Sequence, residues 1–318
     1  MTEPSMKPEL LVIWPNRPRQ MAMLESAYQL HRYDQSADPE QLLETVGDRI
    51  SAVITSGVKG LSRHQINQLP NLKIVASTGV GYDSIDIAAC KERGIQVTYT
   101  PGLMTDDVAD TAIGLILATR RGLVAGDQWV RNGNWLNKGM MPLTSTIRGK
   151  QLGIVGLGRI GQAIAARALP MGLKISYCGP NKKQNLPFDY IPDLINLAAW
   201  ADILVITCPG GERNEGLIGS KELKALGAHG TLINVSRGSV VDQAALVEAL
   251  ISRSISSAGL DVFAEEPHCD EALKALENLV MYPHHASGTE ETRDAMAQLV
   301  VDNLNAFFNG KPLLTPIC

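Results

Sequence analysis

The sequence predicts an α/β protein with two doubly wound parallel sheets, and the order of its apolar segments is the main reason. Short apolar runs of strand length alternate with amphipathic, helix-like segments along most of the chain, an order typical of βα units and a parallel sheet. The chain of 318 residues is also long enough for about two domains of roughly 150 residues each.

The first hundred residues contain one series of βα units. Apolar or alternating runs predict strands over residues 9–14, 51–55, 72–77 and 95–99, and residues 21–30 have the pattern of a helix. A proline and a glycine that follow the last of these strands break the pattern, which indicates that the series ends there.

A long helix is predicted to follow this break and to link the two halves of the chain. Thr105 is suited to cap its N-terminus, and Asp106 and Asp107 lie in its first turn, where the helix dipole favours anions. Apolar residues then recur at helical spacing until Gly122, a typical stop signal after two arginines.

A second series of βα units begins near Lys150 and has the strands expected of a complete nucleotide-binding domain. A C-terminal helix, residues 290–309, is expected to return and pack on the first domain. We therefore predict a discontinuous substrate domain of residues 1–100 and 290–318, and a dinucleotide-binding domain of residues 101–289. The predicted strands of the second series are residues 151–155, 174–178, 203–207, 231–234, 257–260 and 280–282.

The most informative motif lies at the start of this second series, where an apolar strand leads into three spaced glycines and then a helix-like run. Gly156 permits a tight turn, Gly158 lets the backbone approach a pyrophosphate, and Gly161 allows the helix to pack close to the strand. The helix N-terminus offers N–H groups and a partial positive charge to phosphate. The motif and its context predict a dinucleotide cofactor; the alternative is an ordinary glycine-rich turn.

The residues after the second strand of this series bear on which dinucleotide binds. NAD-binding units usually carry an acidic residue there, which holds the ribose 2′-hydroxyl. Gly179 leaves space at that place, and Lys182 and Lys183 offer positive charge to a 2′-phosphate. NADP (as NADPH) is therefore favoured, and NAD is the alternative if the two lysines only form a solvated turn.

Three polar side chains near the ends of later strands are candidates for catalysis. Arg237 lies at the edge where ligands bind in such sheets, and its guanidinium suits a two-point grip on a carboxylate. A histidine held by a carboxylate has its protonated form stabilised, so it can serve as a general acid near neutral pH. Glu266 and His284 are the pair selected by this argument, although each residue alone could be an ordinary surface or packing residue.

Composition argues against several other classes of protein. The net charge is −4, so no basic surface suggests a nucleic-acid partner, and the apolar residues 112–118 are far too few to span a membrane. Residues 1–10 lack the basic start and apolar core of a signal peptide. The five cysteines are scattered and odd in number, so neither a disulfide framework nor a metal site is predicted. We expect a cytoplasmic protein without a bound metal.

Several segments match the pattern of a known family. Residues 78–83, 156–161, 234–238, 259–267 and 283–284 together resemble the D-isomer-specific 2-hydroxyacid dehydrogenases, and the resemblance covers nearly the whole chain. The chain is further similar to the glyoxylate/hydroxypyruvate reductase branch, with which plant hydroxyphenylpyruvate reductases share much. The segments that carry this finer resemblance are residues 105–110, 208–211 and 287–293.

The resemblance implies a Rossmann cofactor domain and a flavodoxin-like substrate domain with a cleft between them. It implies NAD(P)H-dependent reduction of a small 2-keto acid, most of all glyoxylate or hydroxypyruvate, to the D-2-hydroxy acid. It also implies a homodimer whose contact includes the helix that begins near Thr105.

The family pattern further implies roles for the matching positions. Arg237 would bind the substrate carboxylate and polarise the keto oxygen, His284 would protonate that oxygen, and Glu266 would hold His284. Val80 and Gly81 would cradle the substrate carboxylate. The cofactor contacts implied by the pattern and by the glycine motif are Gly156, Gly158, Arg159, Ile160, Gly161, Gly179, Lys182, Lys183, Thr207, Cys208, Pro209, Val235, Ser236, Ser287 and Asp261, the last to orient the nicotinamide carboxamide.

The chain departs from the family pattern at two places. Pro180 stands where NADP-using members usually carry an arginine, and His285 replaces a residue that is usually aliphatic. His284 is chosen as the acid because it follows a proline, and Glu266 is chosen over Glu265 because it precedes one.

Two other functions stay open at this point. One is reduction of a bulkier keto acid, such as hydroxyphenylpyruvate or 2-ketogluconate. The other is a non-catalytic, nucleotide-sensing scaffold similar to transcriptional corepressors, which can keep the same three polar residues. The chain has no basic or disordered interaction tail, which argues against the scaffold.

Overall fold

The computed structural model describes residues 7–318, which divide into two compact units. The first unit contains the chain up to Met104 together with Gly288–Cys318, and the second is Thr105–Ser287. Residues 1–6, which the predicted substrate domain and the signal-peptide argument include, lie outside the described residues. The described part forms a five-stranded and a seven-stranded sheet whose neighbouring strands are all parallel, so the predicted α/β class is confirmed.

The first unit is a parallel sheet between helices. Its strands are β1 (Glu9–Val12), β2 (Gln29–Arg32), β3 (Ile50–Ser56), β4 (Ile74–Thr78) and β5 (Gln96–Thr98), and its first helices are α1 (Pro18–Ala27), α2 (Pro39–Val46), α3 (Arg63–Asn67) and α4 (Ile87–Glu92). The strand order β2-β1-β3-β4-β5 is the flavodoxin-like order. Ligands bind beyond the carboxyl ends of the strands in such sheets, so the loops after β3 and β4 are the relevant ones.

One predicted helix ends earlier in the structure than in the sequence pattern. Residues 21–30 were expected to be helical throughout, but α1 ends at Ala27 and Tyr28 is extended, with φ −130° and ψ 160°. Gln29 then begins β2, and its N–H donates to the Pro8 carbonyl at 3.0 Å. Pairing with the neighbouring strand β1 therefore overrides the apolar helical spacing of this short segment.

The second unit has a longer parallel sheet. Its strands are β6 (Gln151–Val155), β7 (Lys174–Cys178), β8 (Asp189–Tyr190), β9 (Ile203–Ile206), β10 (Thr231–Asn234), β11 (Ser257–Leu260) and β12 (Leu279–Met281). Its helices are α5 (Thr105–Arg120), α6 (Leu123–Arg131), α7 (Asn134–Lys138), α8 (Arg159–Ala168), α9 (Leu194–Trp200), α10 (Ser220–Leu226), α11 (Gln243–Ile251) and α12 (Glu271–Lys274).

The strand order of the second sheet is β12-β11-β10-β9-β6-β7-β8. This is the Rossmann order with one further strand at the β12 edge, and the direction of winding reverses between β6 and β9. The short edge strand β8 was not predicted, because two residues carry no periodic signal. The reversal opens a crevice at the carboxyl ends of β6 and β9, where dinucleotides bind in this architecture.

The last helix, α13 (Glu290–Phe308), belongs to the first unit and packs on β4 and α1. Val300, Val301 and Leu304 are almost fully buried in a cluster that includes Met21 and Leu24 of α1. The C-terminal segment thus covers one face of the first sheet.

Within residues 7–318, no helix combines the length and the apolar character that crossing a lipid bilayer requires. Helix α5 is instead one of the covering helices of the second sheet, where it packs on β10, β11 and α8. Thr105, which was expected to cap this helix from outside, is its first residue. Asp106 and Asp107 occupy its first turn as predicted.

Candidate active site

The glycine turn between β6 and α8 is shaped by close backbone contacts. Gly156 has φ 95°, and a Cβ atom there would lie 2.8 Å from the Cys208 nitrogen. A Cβ on Gly161 would lie 2.5 Å from the Gly156 carbonyl oxygen, so the helix could not pack this close to the strand with any larger residue. A Cβ on Gly158 would meet no atom within 4 Å, and this open position is where the helix begins. The turn therefore presents bare backbone to a ligand, as a pyrophosphate requires.

The loop after β9 lies against this turn. The Thr207 hydroxyl donates to the Gly156 carbonyl at 2.5 Å and to the Val155 carbonyl at 3.3 Å. Burial raises the pKa of the Cys208 thiol to about 11, so this thiol stays protonated near neutral pH. Pro209 is exposed. These three residues are thus at the crevice where the winding of the sheet reverses.

The loop after β7 is held by two tyrosines. Tyr190 donates its hydroxyl proton to the Gly179 carbonyl at 2.8 Å, and the Lys183 N–H donates to the Tyr177 hydroxyl oxygen at 2.6 Å. Lys182 and Lys183 are exposed, and a Cβ on Gly179 would meet no atom within 4 Å. The edge of the crevice is therefore open and carries two cations, which fits an anionic group on the ribose of a dinucleotide.

A buried asparagine shapes the loop that carries Arg237. Asn234, only 1% exposed, donates its amide N–H to the Arg237 carbonyl at 2.8 Å and accepts from the Ser236 N–H and hydroxyl, each at 3.0 Å. The Arg237 guanidinium donates to the Ser236 carbonyl at 2.9 Å. A Cβ on Gly238 would lie 1.9 Å from the Phe263 carbonyl carbon, so this loop rests directly on the segment that carries Glu266.

Glu266 and His284 form an ion pair at the carboxyl edge of the second sheet. His284 Nδ1 lies 2.6 Å from Glu266 Oε2, and Glu266 Oε1 accepts from the Phe263 N–H at 3.0 Å. Burial raises the pKa of the Glu266 carboxyl, but the hydrogen bonds from His284 and Phe263 and the nearby charge of Arg237 outweigh burial and hold it below its ordinary value. The carboxylate therefore stays ionised near neutral pH and can accept a hydrogen bond from Nδ1–H of His284.

Asp261 holds the backbone that carries His284. Its carboxylate accepts from the N–H groups of His285 at 2.8 Å and Ala286 at 3.2 Å, and its carbonyl accepts from the His284 N–H at 2.7 Å. Burial raises the pKa of this carboxyl, and the two backbone hydrogen bonds offset only part of that effect. His284 has φ 49°, a left-handed conformation that is uncommon outside glycine and that this network maintains.

The neighbouring histidine has a different environment. The ring of His285 packs edge-on against Tyr282, with ring centroids 5.8 Å apart. His285 is exposed, and no hydrogen bond links its ring to Glu266 within the described chain. Of the two adjacent histidines, His284 is therefore the one that a carboxylate orients.

The other predicted contacts follow strand ends as well. Arg159 and Ile160 begin α8, while Val235 and Ser236 follow β10, and Ser287 comes three residues after His284. Val80 and Gly81 belong to the first unit, in the loop after β4. Asn234 was not predicted as a site residue, although a polar residue that ends an otherwise apolar strand is a usable signal. Within residues 7–318, no three His, Cys, Asp or Glu side chains lie close enough to share a metal ion.

The chain is similar in sequence to proteins of a known family. Residues 113–286 match the D-isomer specific 2-hydroxyacid dehydrogenase family, in the part described as its NAD binding domain. The chain is 47% identical over 294 residues to glyoxylate/hydroxypyruvate reductase A of Arabidopsis thaliana, covering 92% of this chain and 94% of that protein. It is 45% identical over 294 residues to hydroxyphenylpyruvate reductase of Plectranthus scutellarioides, with the same coverage of 92% and 94%.

The fold also matches a solved structure along almost its entire length. The NADPH-dependent glyoxylate/hydroxypyruvate reductase of Sinorhizobium meliloti, solved in complex with NADP and malonate, has a TM-score of 0.90 and 40% sequence identity. The match covers 98% of this chain and 97% of that one. With strand order, glycine turn and sequence in agreement, the chain belongs to the D-isomer specific 2-hydroxyacid dehydrogenase family.

Proposed function

We propose that this protein reduces a small 2-keto acid, glyoxylate or hydroxypyruvate, to the D-2-hydroxy acid with NADPH as the preferred cofactor. The observation that carries the proposal is the Glu266–His284 ion pair, which lies beside the Arg237 loop at the carboxyl edge of a nucleotide-binding sheet. Two of the relatives are named for these substrates, and one was solved with NADP. A cytoplasmic location is part of the proposal and rests on the five free, scattered cysteines.

His284 is the proposed general acid. The nicotinamide, when bound, supplies the hydride that reduces the keto carbon. His284 gives a proton to the keto oxygen from Nε2, because Nδ1 is engaged by Glu266. After proton transfer the neutral imidazole keeps its orientation, since the Glu266 carboxylate still accepts from Nδ1–H.

Arg237 is the proposed group that binds the substrate carboxylate and stabilises charge on the keto oxygen. A guanidinium offers paired N–H donors whose geometry matches a carboxylate, and its positive charge stabilises an oxygen that becomes more negative during reduction. The hydrogen bonds of Asn234 fix the backbone on both sides of this residue. Val80 and Gly81 are proposed to bind the same carboxylate through their backbone.

We expect His284→Ala to lower kcat for glyoxylate reduction by about 10²–10⁴-fold, because the keto oxygen loses its proton donor. The matched control is His285→Ala, which removes the adjacent imidazole and should change kcat less than about twofold. Steady-state assays with NADPH measure both. A larger loss in His285→Ala than in His284→Ala would show that the acid is assigned to the wrong histidine.

Glu266→Gln should shift the pH dependence of keto-acid reduction. In the parent, the pKa of the Glu266 carboxyl lies below its ordinary value, and protonation of this group in acid removes the negative charge that holds His284. Glutamine does not titrate, so the decline of activity that this protonation causes at acid pH should be absent from the variant. The measurement is kcat against pH between acid and alkaline limits of stability. Glu265→Gln, the neighbouring exposed carboxylate, should keep the parent profile. An unshifted profile in Glu266→Gln contradicts the proposed role of this carboxylate.

The preference for NADPH is proposed to come from Lys182 and Lys183. Replacing both by glutamine should raise KM for NADPH about tenfold and leave KM for NADH almost unchanged, because only NADPH carries the 2′-phosphate. Lys174→Gln is the control, since that exposed lysine begins β7 at the opposite end of the strand. A parent enzyme that prefers NADH would refute the proposed preference directly.

A homodimer is part of the proposal, because an exposed segment of the second unit is unusually apolar. This arm, residues 123–143, is closed at its base by hydrogen bonds between the flanking residues Arg120 and Ser145 at 2.7 and 3.2 Å. A patch of this kind on a stably placed segment is typical of a protein interface, and two-fold dimers are the commonest assembly. Its exposed large apolar residues are Leu123, Val124, Val130, Trp135, Leu136, Met140 and Leu143.

Sedimentation velocity tests the dimer. The parent chain, of 34.3 kDa, should sediment as a species of twice that mass, and the double variant Leu136→Asp/Leu143→Asp should shift towards the monomer. Both residues are at least 90% exposed, so the folded monomer should tolerate the changes. Leu314→Asp, an exposed leucine of the first unit, is the control. A monomeric parent would contradict the proposal.

A further inference from the structure

The turn that follows β3 is firmly held at the carboxyl edge of the first sheet. The Gly60 N–H donates to the Ser56 carbonyl at 2.8 Å, and the Gly60 carbonyl accepts from the Thr55 hydroxyl at 2.6 Å. The Lys59 N–H donates to the Ser56 hydroxyl oxygen at 3.1 Å. Each backbone group at the ends of this turn thus has a partner, and the turn has one defined conformation.

This turn is packed directly on the loop after β4. The Gly57 N–H donates to the Thr78 carbonyl at 3.1 Å, and the Gly57 carbonyl accepts from the Ser84 hydroxyl at 2.6 Å. A Cβ on Gly57 would lie 2.0 Å from the Gly81 carbonyl oxygen, so only glycine permits this contact. The position of the turn is therefore set by the same Val80–Gly81 backbone that is proposed to bind the substrate carboxylate.

Only two side chains project from the turn, because both of its ends are glycines. Val58 is 51% exposed and Lys59 is exposed. Within residues 7–318, no salt bridge engages the Lys59 ammonium. The Lys59 ammonium is a compact cation on a rigid turn at the edge of the sheet where ligands bind. Lys59 lies two residues after Gly57, the residue that packs on Gly81.

We infer that Lys59 is a specificity-determining residue, which favours keto acids that carry a polar or anionic group on the carbon next to the keto carbon. The inference rests on the proposed function, because the Val80–Gly81 backbone must hold the substrate carboxylate. With that carboxylate held on one side of Gly57, the remainder of the substrate meets Lys59 on the other. The ammonium then donates a hydrogen bond to a hydroxyl, or pairs with a second carboxylate.

Three keto acids distinguish a specific contact of Lys59 with the substrate from a general attraction of anions by its charge. Glyoxylate has no carbon substituent beyond the keto group, hydroxypyruvate adds a hydroxymethyl group, and oxaloacetate adds a carboxylate. The contribution of Lys59 to kcat/KM should therefore be absent for glyoxylate, moderate for hydroxypyruvate and largest for oxaloacetate. Ordinary attraction of anions by a surface lysine would instead act on the carboxylate that all three share.

The experiment compares kcat/KM for the three keto acids in the parent enzyme, Lys59→Met and Lys59→Arg. Methionine keeps the apolar stem without the charge, and arginine restores a cation. Lys73→Met is the matched control, because Lys73 is an exposed lysine directly before β4, at the opposite edge of the same sheet. Thermal unfolding of each variant verifies that the fold is intact.

For Lys59→Met we expect glyoxylate kcat/KM to change less than twofold, with losses of about fivefold for hydroxypyruvate and about twentyfold for oxaloacetate, in keeping with hydrogen bonds to a charged group. Lys59→Arg should recover part of both losses, and Lys73→Met should resemble the parent. Equal changes for all three substrates, or no change, would overturn the role of Lys59 while leaving the proposed function intact. A parent enzyme that reduces none of the three would overturn the proposed function and this inference with it.

Discussion

The hydrogen bond between Glu266 and His284 is the interaction on which the candidate active site depends. It joins two loops that follow neighbouring parallel strands, β11 and β12, and that are separated along the chain by a short helix. The carboxylate can hold the imidazole only because the backbone of each loop is fixed independently. Phe263 supplies an N–H to Glu266, and the buried carboxylate of Asp261 receives the N–H groups that follow His284. The pair is therefore held in one orientation by groups of the protein itself, which is the arrangement that proton transfer needs.

Close backbone packing is the second constraint, and it determines which positions must be glycine. Gly161 brings helix α8 against β6, and Gly238 brings the Arg237 loop against Phe263. In both places a single methyl group would overlap a backbone atom of the neighbouring segment. These contacts place charged and polar groups from distant parts of the chain at one edge of the sheet. The same principle holds in the first unit, where Gly57 packs on Gly81.

Much of the fold was predictable because the apolar pattern of most segments agrees with the way they pair as strands in the folded sheets. The strands β6, β7, β10 and β11 have the boundaries that their apolar runs predict, since strands buried on both faces are continuous apolar segments. The prediction failed for residues 28–30, where the apolar spacing continues that of α1 but the chain pairs with β1 instead. It also missed β8, whose two residues pair with β7 at the sheet edge and carry no pattern of their own.

The sequence by itself determined the α/β class, the nucleotide-binding motif and the identity of the candidate residues Arg237, Glu266 and His284, because residue type, local order and resemblance to a family suffice for these. Only the tertiary structure decided that Glu266 Oε2 meets Nδ1 of His284, that Asn234 fixes the arginine loop, and that Asp261 supports the His284 backbone. The physical reason is that these hydrogen bonds join separate loops, whose distances follow from strand order and backbone packing rather than from any spacing along the chain.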